Sequence, residues 1–250
     1  MTSVPTVSVV TPTFNAVTTI EACCESVAGQ DYSQIEHLVI DGGSSDGTVA
    51  VLKSRGIRHE SSPDAGIFDA MSKGVRMASG EFVHILNGDD RYAHSAVLSK
   101  TLQAMTAHGW DLCHARAAQV SQSGRIVRVI GRDVNKRQLL EKMRVAHPTV
   151  IVHRSVYERY GAFSVGFRVA GDYEFLLRIW DKVRMGFIDE VLVIMAIGGN
   201  STRPENLVRS YRESLAAAVV HGAHPARATI RCGYEIAKHR LFFSRAYRQP

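Results

Sequence analysis

Cysteine is scarce: Cys23, Cys24, Cys113 and Cys232 are the only four in 250 residues. Their spacing fits neither a zinc site nor a disulfide-stapled secreted scaffold, so a reducing compartment is expected and a hydrophobic core must carry the fold. Long apolar runs are missing too. The longest, Val191–Ile197, falls far short of the roughly 20 residues that cross a bilayer. No charged leader with a small-residue cleavage site precedes the first strand-like segment, and a cytoplasmic protein is the expectation. The eleven histidines include no two-His-plus-carboxylate arrangement on one helix face, which argues against zinc. A P-loop, a zinc finger and an aromatic RNA-binding motif are absent, so nucleic acid is not an expected partner.

A hydrophobic content of 45% is enough for one substantial core and leaves room for a small appendage. Charge is unevenly placed. Residues 1–120 carry 8 basic and 13 acidic side chains, whereas residues 121–250 carry 22 and 11. A basic half attracts phosphorylated substrates, anionic lipid and nucleic acid alike, so its sign does not select a partner.

Periodicity predicts a strand in Thr6–Val10, a helix from about Val17 to Gln30, a strand in Ile35–Ile40 and a helix in Thr48–Arg55. A short strand in Ile57–Glu60, a helix in Gly66–Ser79 and a strand in Glu81–Leu86 follow. A helix over about Ala93–Gly109 then leads to a strand pair, Asp111–Ala118 and Arg125–Ile130, around Ser123-Gly124. This alternation predicts an α/β fold with a mostly parallel sheet and helices on both faces. From Glu205 onward the pattern is helical, so the expected division is a catalytic domain over 1–204 and a basic helical tail over 205–250. The domain itself divides into a donor half (about 1–120) and an acceptor half (about 121–204).

In open parallel sheets ligands bind beyond the carboxyl ends of the strands. Polar clusters stand where the apolar runs stop: Thr11-Pro12-Thr13-Phe14-Asn15, Asp41-Gly42-Gly43-Ser44-Ser45-Asp46-Gly47-Thr48, and Asn87-Gly88-Asp89-Asp90. Between them lies Pro63-Asp64-Ala65-Gly66-Ile67-Phe68-Asp69-Ala70-Met71-Ser72-Lys73-Gly74. Each alone is explained by turns and helix caps. Together they suit group transfer from a pyrophosphate. A carboxylate such as Asp41 can accept from a base N–H or a ribose hydroxyl, and glycines let the backbone approach a nucleotide. Paired Asp89 and Asp90 can hold a hard divalent cation against the diphosphate.

These motifs resemble the family 2 glycosyltransferases of the GT-A fold, a Rossmann-like architecture, and in particular the bacterial exopolysaccharide enzymes related to those that build colanic acid. The family's opening strand and turn match Val9 to Asn15, and its nucleotide-binding turn matches Asp41 to Thr48. Its D-x-G-I-Y-D-A-M-N-K-G element matches Asp64 to Gly74, with Phe68 for Tyr and Ser72 for Asn. Its D-x-D element falls on Asn87-Gly88-Asp89, with Asn in first place, which makes Asp89 the main ligand for Mn or Mg. The resemblance implies a nucleoside-diphosphate sugar donor held by Pro12, Thr13, Phe14, Asn15, Asp41, Gly43, Ser44, Asp64, Gly66, Asp69, Lys73, Asn87 and Gly88. It also implies a saccharide or polyprenyl-diphosphate-linked acceptor.

Inversion at the anomeric carbon needs a base for the acceptor hydroxyl. Asp172 is the candidate, in Gly171-Asp172-Tyr173-Glu174, which resembles the family's E-D-Y-E segment with Gly171 in place of Glu. The competing role is a helix cap, and Glu174 is the fallback base. His147, in His147-Pro148-Thr149, resembles an H-Q segment on the acceptor side. Two other functions compete with this one. A sugar nucleotidyltransferase would need a basic glycine-rich loop after the first strand, and a non-catalytic nucleotide or nucleic-acid binder would not need Asp89 and Asp172 together.

In the tail, Arg227, Arg231, Lys238 and Arg245 fall within about a 40° stripe beside Ile230, Tyr234, Ala237 and Leu241. Such a strip either docks on the domain or lies on the anionic inner face of the cytoplasmic membrane, and the second reading makes the protein a peripheral one.

Overall fold

A computed structural model describes residues 5–121, 123–197 and 204–246, without the side chains of 204–205 and 239–246. The first half alternates as its periodicity predicts: β1 (Val7–Thr13), α1 (Ile20–Ala28), β2 (Ile35–Asp41), α2 (Thr48–Ser54), β3 (His59–Ser61), α3 (Ile67–Met77) and β4 (Phe82–Ile85). Next come β5 (Asp90–Tyr92), α4 (Val97–His108), β6 (Leu112–Val120), β7 (Ile126–Ile130), α5 (Lys136–Glu141), a 3₁₀ turn at His147–Thr149, β8 (Ile151–His153), α6 (Arg154–Tyr160), α7 (Gly171–Ile179) and β9 (Met185–Ala196). Helices α8 (Pro204–Val220) and α9 (Pro225–Ala246) close the chain.

The strands form one sheet in the order β3-β2-β1-β4-β8-β6-β9-β5, with β7 on β6. From β3 to β4 every pairing is parallel. Beyond β4 the sheet is mixed, since β8 runs antiparallel to both β4 and β6 while β9 runs parallel to β6. The expected pair around Ser123-Gly124 is the antiparallel β6–β7 hairpin. Strands β5 and β9 have no counterpart in the periodicity reading, and the apolar run Val191–Ile197 proves to belong mostly to β9.

Strand β1 is buried along its whole length, as a central parallel strand with both faces covered must be. Val7 and Val9 face one layer with Cys23, Leu98 and Leu102 from α1 and α4, and Val10 faces the other with Phe68, Met71, Phe175 and Leu176 from α3 and α7. This is the alternation of a strand's side chains. Helix α3 buries Phe68, Met71 and Val75 on one face. Gly74 brings its backbone against the sheet, where a Cβ would overlap Val10 Cγ1 and stand 3.2 Å from Ile40 Cγ1.

Helix α8 packs on α7, with Ala217 and Ala218 buried in the same core cluster as Phe175. Helix α9 rests on α8 through Ala228, which is buried, and Cys232, whose Sγ lies 3.5 Å from the Tyr211 carbonyl. Ile230 and Tyr234 stay exposed, at 74% and 64%, and Arg227 and Lys238 are exposed beside them. The described part of the apolar strip is therefore open to its surroundings; Leu241 and Arg245 lie outside the described side chains. Among the described residues no helix is long and apolar enough to cross a membrane.

Candidate active site

The parallel pairing of β1 and β2 sets Thr13 beside Asp41, so the loops that follow leave one edge together. They are stitched to each other. Asn15 N donates to Ser44 Oγ at 2.7 Å, Ser45 N to Asn15 Oδ1 at 3.0 Å, Ala16 N to Thr48 Oγ1 at 2.9 Å and Val17 N to Asp46 Oδ2 at 3.0 Å. Asn15 adopts φ 49°, the left-handed conformation that asparagine tolerates better than most residues.

Asp41 is buried and accepts from Gly43 N (3.1 Å), Ser44 N (2.9 Å), Ser61 Oγ (2.6 Å) and Ser44 Oγ. Its carboxylate thus shapes the turn, and any effect on a bound base or ribose passes through that turn. A Cβ on Gly42 would stand 2.7 Å from Asp64 Oδ2 and 3.4 Å from the Phe14 ring, so three of the four clusters meet there. Asp64 accepts from Gly66 N at 2.8 Å, and Pro63 O accepts from Lys73 Nζ at 3.3 Å. Lys73 also pairs with Asp69 at 3.3 Å. The Ala65 N–H, and then Lys73, hold the Asp69 carboxyl below its usual range.

The fourth cluster separates its two aspartates. Asp89 is exposed, whereas Asp90 is buried at the start of β5, and burial, reinforced by the charge of Asp89, pushes its carboxyl up. Asp90 Oδ2 accepts from Asn87 Nδ2 at 2.9 Å, which makes Asp90 the group that orients Asn87 rather than a second ligand. Asn87 Oδ1 and Thr13 Oγ1 are buried without a hydrogen-bond partner. A Cβ on Gly88 would stand 2.6 Å from Thr13 Oγ1, so only glycine allows this approach. Among the described residues no group of three His, Cys, Asp or Glu could hold a metal. One carboxylate plus an orphaned amide oxygen nonetheless fits a hard divalent cation whose remaining positions go to phosphate and water.

Across the cleft, α7 starts at Ala170 without a side-chain cap. Asp172, half-buried in the first turn, accepts from Tyr173 N at 2.8 Å and is not the cap. Glu174 is buried, with Oε1 3.0 Å from Arg178 Nε and 3.1 Å from His221 Nε2, which removes the fallback base. His147 is buried with its ring edge-on to Phe163, centroids 5.7 Å apart. Burial lowers its pKa while the charge of Asp172 acts the other way. Phe163 also meets Phe68, at 5.7 Å, joining the His147 ring to the first turn of α3.

A shallow, open cleft lies between Ala65–Asp69 and the segment of Val165, Phe167 and Arg168. Two of the chain's departures from the resembled motifs, Phe68 and Gly171, touch here. A Cβ on Gly171 would stand 2.8 to 3.0 Å from the Phe68 ring, so the phenylalanine that replaces Tyr occupies the space that a residue larger than glycine would need. The spacing of motifs gave no sign of this contact, nor of the hydrogen bonds of His84 to Tyr92 Oη (2.6 Å) and Pro148 O (2.8 Å) that brace the His147 turn.

The model of glycosyl transferase family 2 matches residues 8–161. An uncharacterized glycosyltransferase of Mycobacterium tuberculosis is 34% identical over 187 residues, 71% of this chain and 70% of that protein. A PGL/p-HBAD biosynthesis glycosyltransferase of the same species is 28% identical over 186 residues, 71% of each chain. Among solved structures, S. aureus TarS 1-349 in complex with UDP-GlcNAc superposes with a TM-score of 0.70 at 17% identity, covering 95% of this chain and 73% of that one. The chain spans only 41% of the longer TarS chain, with a TM-score of 0.66. The mannosyltransferase PcManGT of Pyrobaculum calidifontis, in complex with GDP-Man and Mn2+, gives 0.62 at 18% identity, covering 97% and 83%. These likenesses bear out the GT-A fold expected from the motifs, and the family match extends from β1 to the end of α6: the chain belongs to glycosyl transferase family 2.

Proposed function

We propose that the chain moves a sugar from a nucleoside-diphosphate donor to an acceptor hydroxyl with inversion at the anomeric carbon. The observation that carries this reading is the convergence on one sheet edge of the β1 and β2 turns, the Asp64–Gly66 turn that opens α3 and the Asn87–Asp89 turn, with Asp172 in the first turn of α7, where Gly171 abuts Phe68. The turns from Pro12 to Asn15 and from Asp41 to Ser44 receive the nucleoside. Asn87 and Asp89 would hold Mn or Mg, which supplies positive charge to the departing diphosphate. TarS 1-349 in complex with UDP-GlcNAc and PcManGT in complex with GDP-Man and Mn2+ share this fold, which supports a donor and metal of these classes.

Asp172 takes the proton of the acceptor hydroxyl as its oxygen attacks the anomeric carbon, and the bond from that carbon to the diphosphate oxygen breaks. His147 lines the acceptor side and, kept neutral by burial, offers a ring nitrogen to an acceptor hydroxyl. The acceptor is a saccharide on a polyprenyl-diphosphate carrier, in keeping with the resemblance to exopolysaccharide enzymes. The exposed strip of Ile230 and Tyr234 with its basic neighbours rests on the anionic inner face of the cytoplasmic membrane and brings the cleft to that carrier. Calorimetry with UDP and GDP, with and without manganese, tests the donor side. Manganese-dependent binding that Asp89→Ala abolishes is expected, and undiminished binding in that variant or in excess chelator would sink the metal assignment.

A further inference from the structure

Three peptide N–H groups just ahead of α7 point at a single atom. Arg168 N, Val169 N and Ala170 N donate to Oε2 of Glu213, on α8, at 3.0, 2.7 and 3.0 Å. Successive backbone donors converging on one oxygen form an anion nest, and here the anion is a side chain more than forty positions downstream. It also stands at the positive end of α7, where negative charge is stabilising and where the helix has no side-chain cap of its own. The loop's own turn adds a longer bond, Phe167 N to Ser164 O at 3.3 Å.

The segment so held is the far wall of the cleft. Phe167 and Arg168 line it opposite the start of α3, and Asp172 follows two residues after the last of the three donors. Two further contacts tie α7 to α8 and to the turn that follows it: Ala217, buried in the core beside α7, and His221 Nε2, 3.1 Å from Glu174 Oε1.

We infer that Glu213 is a positioning residue for the transfer reaction, holding the 168–170 segment so that Asp172 and the Arg168 side of the cleft keep their places. The inference rests on Asp172 being the base. It makes α8 a working part of the catalytic unit, because a carboxylate from that helix fastens the wall that faces the donor.

The test compares Glu213→Ala and Glu213→Gln with wild type by amide hydrogen exchange, by nucleoside-diphosphate affinity, and by turnover of whichever UDP- or GDP-sugar the wild type uses fastest. In Glu213→Ala, exchange at Arg168–Ala170 should rise by about tenfold or more while the amides of β1 stay protected. The value of kcat should fall by about tenfold or more with diphosphate affinity within about twofold, since the wall and not the donor edge is disturbed. Glu213→Gln, which keeps an acceptor oxygen without the charge, should recover part of both losses, and it carries the comparison should the alanine variant fail to fold. Unchanged exchange at the three amides, or a kcat within about twofold of wild type while Asp172→Asn is inactive, overturns the inference. If Asp172→Asn itself keeps its rate, the base assignment falls separately, and the exchange result alone decides whether Glu213 holds the loop.

Discussion

Gly74→Ala puts a single methyl between α3 and the central strand. Intrinsic propensity favours the change, because alanine in a helix interior is better than glycine by about 1 kcal/mol. Packing opposes it. The new Cβ would overlap Val10 Cγ1 and stand 3.2 Å from Ile40 Cγ1, and Val10 is β-branched and fully buried on a strand paired on both sides, so it has no rotamer to retreat to. Overpacking of a tight core costs about 1–3 kcal/mol, and a direct overlap belongs at the upper end, leaving a net loss of about 2 kcal/mol. For a chain of this size that lowers Tm by about 4–8 °C. Val10→Ala opens the missing space, so in that background Gly74→Ala should become neutral or stabilising by up to about 1 kcal/mol, a coupling of about 2–3 kcal/mol. Because α3 begins at the Asp64–Gly66 turn, nucleoside-diphosphate affinity should weaken in Gly74→Ala and return in the double variant. Thermal unfolding of the four proteins reads the cycle, and a higher Tm for Gly74→Ala alone would refute the close approach.

His114, buried on β6 between Phe187 and Trp180, has its pKa lowered to about 4, by burial first and against the pull of Asp133. A histidine held neutral stabilises the fold above its unfolded pKa of about 6.5 and loses that stabilisation as pH falls towards 4, by about 2 kcal/mol at pH 5. His114→Phe should therefore flatten the fall in Tm between about pH 7 and 5 by about 4–8 °C, and an unchanged acid slope would count against it. On the tail, the wild-type protein should co-sediment with anionic vesicles at low salt and release at high salt, where surface charges are screened. Ile230→Ser/Tyr234→Ser should weaken that binding, and no binding at low salt, or no effect of the double change, rejects the membrane contact.

The donor edge was legible because each polar cluster directly follows an apolar run, and a parallel sheet gathers such strand ends without any long-range information. Helix α3 was legible from the spacing of Phe68, Met71 and Val75. What the spacing of Asp64 to Gly74 could not say is that its last glycine serves packing against Val10 rather than chemistry. Strand β5 is three residues long and pairs with β9 a hundred residues away, so it had no local period to reveal it. The pairing of Asp89 with Asp90 as twin ligands read well in sequence, yet β5 turns Asp90 inward onto Asn87. The clasp of Glu213 was invisible for the same reason as β5: its partners are peptide groups, which every residue carries, and only the packing of α8 on α7 brings them within reach.

The central claim is most directly tested by sugar transfer from a panel of UDP- and GDP-sugars to polyprenyl-diphosphate-linked acceptors, with wild type and Asp172→Asn side by side. Wild type should release one nucleoside diphosphate for each sugar moved. Asp172→Asn should keep its fold and its nucleoside-diphosphate affinity and transfer roughly 10²-fold more slowly or worse, the scale of a lost general base. Transfer at the wild-type rate by Asp172→Asn, or loss of donor binding and stability together with rate, would contradict the account.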